Sequence, residues 1–469
     1  MFSTVQNYGA KAPIIVLILV LMAPVTSASA EMTPCNSHGD CNVEAGEFCL
    51  QNLCREANDH RVQRLFSIGI SPFYDLTQHD EGEHLASNAE SILRGLLGST
   101  VFFETLPAER TPPTAMLEGW MGSTILFQSW ASRGAYAVVK GTLRDTTSGE
   151  RALTLRLYLV ESGEHVDSLF FSVLIDRKNL REELVRWADK VVGEFSGRPG
   201  ILSTRIAYAR QSKIGGSKEI YVTGLDGFEE RPVTQNGSLN LLPSWGPKGV
   251  HVAYTSYIDR NPDLFLGADK FSGFESLNMG AEWSPDGTEV ALSLSKDGNN
   301  EIYILDGKTG TPKKRLTNHK AIDSSPTWSP DGESLVFVSD RNGSPQLFFI
   351  KRDGSGLRHL ATGFGYCTSP EWSPSGSLIA FNAMRTGKAF DIYLYDMGSG
   401  SVRTVTYQSG SNEDPSWSPD GRYLVFSSTR GSTRAKRRKN LFIISASGGR
   451  ATKITRRDAL YSTPTWSPW

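Results

Sequence analysis

Ala281-Glu-Trp283-Ser-Pro-Asp-Gly287 is one of six related stretches, and their spacing decides the fold. The others are Trp245-Gly-Pro-Lys-Gly, Trp328-Ser-Pro-Asp-Gly, Trp372-Ser-Pro-Ser-Gly, Trp417-Ser-Pro-Asp-Gly and Trp466-Ser-Pro-Trp469, at intervals of 38, 45, 44, 45 and 49 residues. A period of about 40–50 residues is that of a β-propeller, one four-stranded blade per repeat. Within each copy an aromatic ends a short strand, Pro presets φ, and Gly takes the positive φ that the turn demands. Apolar strands follow at 250–254, 289–293, 334–338, 378–382 and 423–427. Hairpin turns such as 296–298 and 340–343 then lead into strands of the type Glu301-Ile-Tyr-Ile304 and Gln346-Leu-Phe-Phe349.

The first apolar run, Arg205-Ile-Ala-Tyr208, has no Trp copy before it, and the last copy has no strands after it. The C-terminal strand is therefore expected to complete the first blade, joining the chain's ends and removing the exposed edges. Six blades result.

Upstream, residues 1–30 read as a secretory signal. Lys11 precedes the apolar run 13–24, and Ala28-Ser-Ala30 offers small residues for cleavage. The run falls well short of the roughly 20 residues that a spanning helix needs. Residues 31–58 contain Cys35, Cys41, Cys49 and Cys54, the pattern of a disulfide-rich module in an oxidising compartment. Three pairings are open; 35–49 with 41–54 is favoured over the others, and the spacings fit zinc poorly. Cys367 reads as a buried thiol.

Residues 61–198 read as a separate α/β domain. Strands are expected at 64–70, 135–143, 152–160 and 166–175, with helices at 84–97 and about 122–132. The last helix is the best defined: Asp176 or Asn179 caps it, an apolar stripe runs from Leu180 to Phe195, and Gly197 stops it. A short linker, Gly197-Arg-Pro-Gly200, leads to the propeller at 200–469. The expected class is thus α/β plus all-β in one multidomain chain.

Lys plus Arg number 49 against 50 Asp plus Glu, so no global field favours nucleic acid. No G-x-S-x-G elbow occurs. His251, His319 and His359 fall at dissimilar blade positions, so no triad or metal set is expected. Asp286 and Asp331 are explained by their turns. The reading is a non-enzyme without cofactor, metal or catalytic residues. A propeller peptidase relative lacking its hydrolase domain and a secreted or surface propeller for adhesion or sensing are the alternatives.

In its ordered motifs the chain resembles the TolB family of Gram-negative envelope proteins, over about 62–469. The resemblance is carried by Gly200-Ile-Leu-Ser-Thr-Arg-Ile-Ala-Tyr208, by Trp187-Ala-Asp189 in the helix before it, by Val138-Val-Lys-Gly141 with Leu155-Arg-Leu-Tyr158, and by the ending on Trp-Ser-Pro plus one residue. Residues 31–58 depart from the family, whose mature N-terminus is a short cysteine-free arm that engages TolA. The resemblance implies a periplasmic binding protein that docks a Pal-like lipoprotein at the mouth of the propeller and helps maintain the outer membrane during division. It implies a link to a TolA-like inner-membrane protein, and no integral membrane segment after signal cleavage. Mapped onto this chain, the mouth residues are Asn240, Leu277, Asn278, Asp323, Tyr366, Asn412, Glu413 and Tyr461, with Tyr366 and Tyr461 as aromatic anchors. A basic run, 430–439, carries six positive residues in ten and reads as a solvated loop or an anionic contact.

Overall fold

The computed structural model describes residues 47–50, 53–56, 66–77, 81–100, 103–213, 215–384, 389–432 and 438–469. The signal segment and the cysteines at 35 and 41 lie outside these residues. Of the cysteine-rich module the described part is a backbone hairpin, β1 (Glu47–Leu50) with β2 (Leu53–Glu56), in which Cys49 stands opposite Cys54.

Next comes an α/β unit. Its strands are β3 (Phe66–Ile70), β4 (Tyr74–Asp75), β5 (Phe103–Thr105), β6 (Ala137–Asp145), β7 (Arg151–Leu159) and β8 (Phe171–Ile175). They form a mixed sheet of order β5-β3-β6-β7-β8, with β4 beside β6. Helices α1 (Glu81–Ser99) and α3 (Leu180–Ser196) pack on one face, burying Leu93, Leu153, Leu155, Trp187 and Val191 in a common core. Gly197, at φ 65°, ends α3 in the left-handed conformation that glycine tolerates best. At its start Asn179 makes no capping side-chain bond, and Asp176 Oδ1 instead accepts from the Lys178 and Asn179 amides.

Two expectations here are corrected. The helix expected at 122–132 is only α2 (Phe127–Ala131), because Trp130 and Ile125 are drawn into the core from an irregular segment rather than from one helical face. The strand expected from 166 begins at Phe171, since residues 167–169 turn in a 3-10 helix that buries Leu169.

Six four-stranded sheets follow in a ring. Blades 2 to 6 are each built from consecutive strands. In blade 1, Leu460–Trp466 pairs antiparallel with Arg205–Gln211, so the C-terminal strand closes the ring as expected. The outermost strands are short and rich in Lys and Arg, as in Pro312–Arg315 and Arg358–His359. Short charged edges discourage pairing with other chains.

Every innermost strand carries a β-bulge at the same place, between Leu241 and Ser244 in blade 2 and between Thr368 and Glu371 in blade 5, for example. The bulge residue has positive φ in all six: Leu242, Gly280, Ser325, Ser369, Asp414 and Thr463. Pro follows it in five blades, at 243, 326, 370, 415 and 464. Proline is tolerated there because a bulge already interrupts the ladder.

Candidate functional site

The propeller has two unlike ends. At one end lie the Trp-Ser-Pro-Asp-Gly turns, and there the α/β unit is fastened over blades 1 and 6. Arg181 of α3 pairs with Asp226, and with Glu229 at 3.3 Å. Asp189 accepts from the Leu202 amide at 2.6 Å and the Ser203 amide at 2.9 Å, and Arg422 Nη2 donates to the Pro199 carbonyl at 3.3 Å. Burial pushes the Asp189 carboxyl up from its ordinary value, against the lowering effect of those amides. The opposite end, with the loops that enter the innermost strands, is free of the α/β unit. It is the candidate mouth.

The turns act as turns. Asp286 Oδ1 accepts from the Ser284 hydroxyl at 2.6 Å and the Thr288 amide at 3.0 Å, which lowers its pKa to about 2. Asp331 repeats the pattern with Ser329 and Glu333.

At the mouth, the residues expected to meet a partner divide in two. Asn240, Asn278, Asp323 and Asn412 are wholly buried. Asn240 and Asn412 belong to a latch that repeats between blades, whereas Asp323 and Asn278 are bound within their own blade or the loop that enters it. Asn240 Nδ2 donates to Glu219 at 3.0 Å and Asn412 Nδ2 to Asp391 at 2.9 Å. The same acids accept from Thr234 and Thr406, whose hydroxyl oxygens accept the Ile220 and Ile392 amides. Asp323 takes two bonds from Arg341 at 2.8 and 3.0 Å, and Asn278 Nδ2 holds the Phe274 and Ser276 carbonyls. Tyr461, expected as an anchor, is 1% exposed and packs on Tyr208 with centroids 5.5 Å apart. It is core. Their polar or aromatic character is spent within the ring, so a partner reaches none of these five directly.

The reachable rim is apolar. Leu239, Leu277, Ile322 and Tyr366 each stand one residue before the innermost strand in successive blades 2 to 5, and they are 37%, 38%, 52% and 38% exposed. Tyr366 leans on Phe390 at 5.7 Å. Blades 6 and 1 give a polar arc in place of this. Glu413 is half-buried, bound to Lys439 at 3.0 Å and to the Ser411 hydroxyl at 2.7 Å. Of the basic run, residues 433–437 lie outside the described residues. Arg438 pairs with Asp458, and Arg430 donates to Ser409 and Asn412.

Below the rim is a ring that the expectations omitted. The residue before each repeat Trp is Ser244, Glu282, Thr327, Glu371, Ser416 or Thr465. In four of them the side-chain oxygen accepts from the backbone amide of the next blade's Trp: Glu282 from Trp328 at 3.1 Å, Thr327 from Trp372 at 3.2 Å, Glu371 from Trp417 at 2.9 Å and Ser416 from Trp466 at 3.0 Å. Enclosure by surrounding protein pushes both glutamates up to about 8, with the Glu282 charge adding to the rise at Glu371. The signal was present in the sequence: a hydrogen-bonding side chain precedes Trp in every copy.

Burial pushes the Cys367 thiol up to about 11 against the lowering effect of its contact with the Thr362 hydroxyl, so it is not activated. Among the described residues no group of three or more His, Cys, Asp or Glu converges as for a metal, and no helix is long and apolar enough to cross a membrane.

Comparison with known proteins agrees with this geometry. The model of the TolB β-propeller domain matches residues 192–469. The Tol-Pal system protein TolB of Desulfosudis oleivorans is 32% identical over 256 residues, covering 53% of this chain and 57% of the relative. That of Anaeromyxobacter dehalogenans is 33% identical over 255 residues, covering 53% and 56%. The chain thus spans little more than half the length of these curated relatives. The crystal structure of TolB from Acinetobacter baumannii superposes with a TM-score of 0.73 at 25% identity, over 86% of this chain and 96% of that one.

Proposed function

This chain belongs to the TolB β-propeller family, and from that membership we propose that it is a periplasmic adaptor of a Tol–Pal envelope system. It is a non-enzymatic propeller protein of that type. In this reading residues 1–30 direct export, 31–58 form a disulfide-rich module, 61–198 the α/β domain and 200–469 the propeller. The propeller mouth docks a Pal-like lipoprotein, the α/β domain faces a TolA-like inner-membrane partner, and together they help keep the outer membrane attached and drawn in during division.

The observation that carries the docking face is the apolar arc of Leu239, Leu277, Ile322 and Tyr366, on the end left free by the α/β unit. Large apolar side chains repeated at one position of four adjacent blades, each more than a third exposed, are the kind of surface that marks an interaction site. Glu413 and Lys439 supply a polar rim beside it.

Calorimetry tests this. The mature chain, residues 31–469, is titrated with the Pal-type lipoprotein of the same organism, beside a Leu277→Ala/Tyr366→Ala variant. Binding that the variant weakens at least about tenfold is expected for central apolar anchors. Intact binding in the variant moves the site elsewhere. Absence of binding by a folded wild-type propeller removes the adaptor reading.

A further inference from the structure

The α/β unit leaves part of one sheet face bare. Helices α1 and α3 cover the face of Leu153, Leu155 and Leu157. On the other face, residues 106–135 cover Val138, Lys140 and Tyr158, and the cover ends at Trp120, which lies over Arg144 and Arg156. Beyond that cover, Arg144, Ala152 and Leu174 stand in one row across β6, β7 and β8. Leu174 is exposed, as is Phe170 just before β8.

Two arginines on this face stack on one indole. The Arg144 guanidinium lies 4.7 Å from the Trp120 ring centre and that of Arg156 4.6 Å, with Arg156 also 5.2 Å from the Phe170 ring. Neither has a carboxylate partner among the described residues. Arg156 Nη1 donates to the Met121 thioether at 3.3 Å, a weak acceptor. Among the described residues its buried Nε has no hydrogen-bond partner, and neither does the buried hydroxyl of Thr142 on the same face. The exposed guanidinium of Arg144, stacked on Trp120 without a carboxylate and beside the exposed Phe170 and Leu174, points to a ligand that supplies acceptors. Trp120 is meanwhile held in place: its carbonyl accepts from Tyr158 at 2.9 Å, and Glu118 two residues earlier is tied to Lys140 at 2.8 Å and Trp130 at 2.9 Å.

We propose that this bare face docks an acidic, apolar segment of a partner protein, which lays hydrophobic side chains on Phe170 and Leu174 and delivers a carboxylate to the Arg144–Trp120–Arg156 stack. The segment lies over the sheet face rather than along its edge, because the stack stands on β6 and β7, inward of the edge strand β8. An anionic membrane fits less well. Exposed Glu161, Glu164 and Asp167 crowd the turn before β8 and repel a negative plane, whereas one threaded carboxylate avoids them.

The probes are two labelled nine-residue peptides of Leu and Ser, one with a single central Glu and one with a single central Lys, titrated into residues 31–469 by fluorescence anisotropy. The Glu peptide is expected to bind and the Lys peptide not. Affinity should fall about tenfold in Arg144→Gln and in high salt, as for charge-assisted pairs that are partly exposed. Leu174→Gln, at an exposed position that folding does not need, should weaken it as well. Equal binding of both peptides, no binding of the Glu peptide, or unchanged affinity in both variants overturns the proposal. So does binding seen only after removal of residues 31–60: that stretch carries six acidic residues against one arginine, and would then itself be the occupant.

Discussion

Glu371 is the residue at which the electrostatics of the ring are most open to measurement. Its folded pKa, about 8, lies above the ordinary value of 4.5 because the carboxyl is enclosed, and the charge on Glu282 adds to the rise. A carboxyl whose pKa rises on folding favours the folded state below the ordinary value and loses that contribution as pH climbs to the folded one. The window is therefore about pH 4.5 to 8. Glu371→Gln should flatten the fall in melting temperature across that window and stabilise the protein by about 1–2 kcal/mol at pH 8, a figure discounted for water reaching the side chain. An unchanged pH profile in the variant would locate the titration elsewhere. A second buried group works the other way. Lys140 and Glu118, both essentially unexposed, are held together with Ser71 and Trp130. Lys140→Met leaves the carboxylate buried without its cation, and should cost about 3–5 kcal/mol in urea denaturation.

Among the elements, the innermost strands show how a backbone irregularity becomes a fold rule. Five blades place a side chain in the left-handed region at the bulge, and blade 3 places Gly280 there at φ 67°. A Cβ added at Gly280 meets nothing within 4 Å, so substitution tests backbone strain without packing. Gly280→Ala should lower stability by about 1 kcal/mol and Gly280→Val by more, because β-branching crowds positive φ further. Equal stability of the alanine variant in chemical denaturation would mean that the bulge relaxes. The proline after five of the bulges, the polar residue before each Trp and the Thr–acid–Asn latch are spaced with the repeat. The pattern was legible, but the partners of the polar residue and of the acid lie in the next blade, which no local reading reaches.

For the whole molecule the decisive junction is the one between the α/β unit and the propeller. Gly200 sits so close to α3 that a Cβ would stand 2.3 Å from Asp189 Oδ1 and 2.6 Å from Asp189 Cα. Gly200→Ala must displace either the helix or the linker that Asp189 ties at Leu202 and Ser203. A loss of about 1–3 kcal/mol is expected, the usual cost of overpacking. Faster proteolysis between residues 197 and 204, with the propeller left intact, would show it; unchanged protection would mean that the Asp189 tie is not what holds the two units together. This junction also fixes which end of the ring is available, because it occupies the turn end over blades 1 and 6 and leaves the apolar rim bare.

The sequence by itself determined the repeat, the six blades and their closure, because turn chemistry and apolar alternation are local and recur at a fixed period. It determined the main strands and helices of the α/β unit for the same reason, while the irregular segment 106–135 was legible only in part. It led to the mouth as a place. Which side chains are reachable there was decided by tertiary structure alone. Asn240 and Asn412 look like polar loop residues until the neighbouring blade latches them, Asn278 and Asp323 until the Phe274 carbonyl and Arg341 take them up, and Tyr461 looks like an anchor until Tyr208 covers it. Burial depends on what packs against a residue from distant parts of the chain, and a sequence read locally holds no record of that.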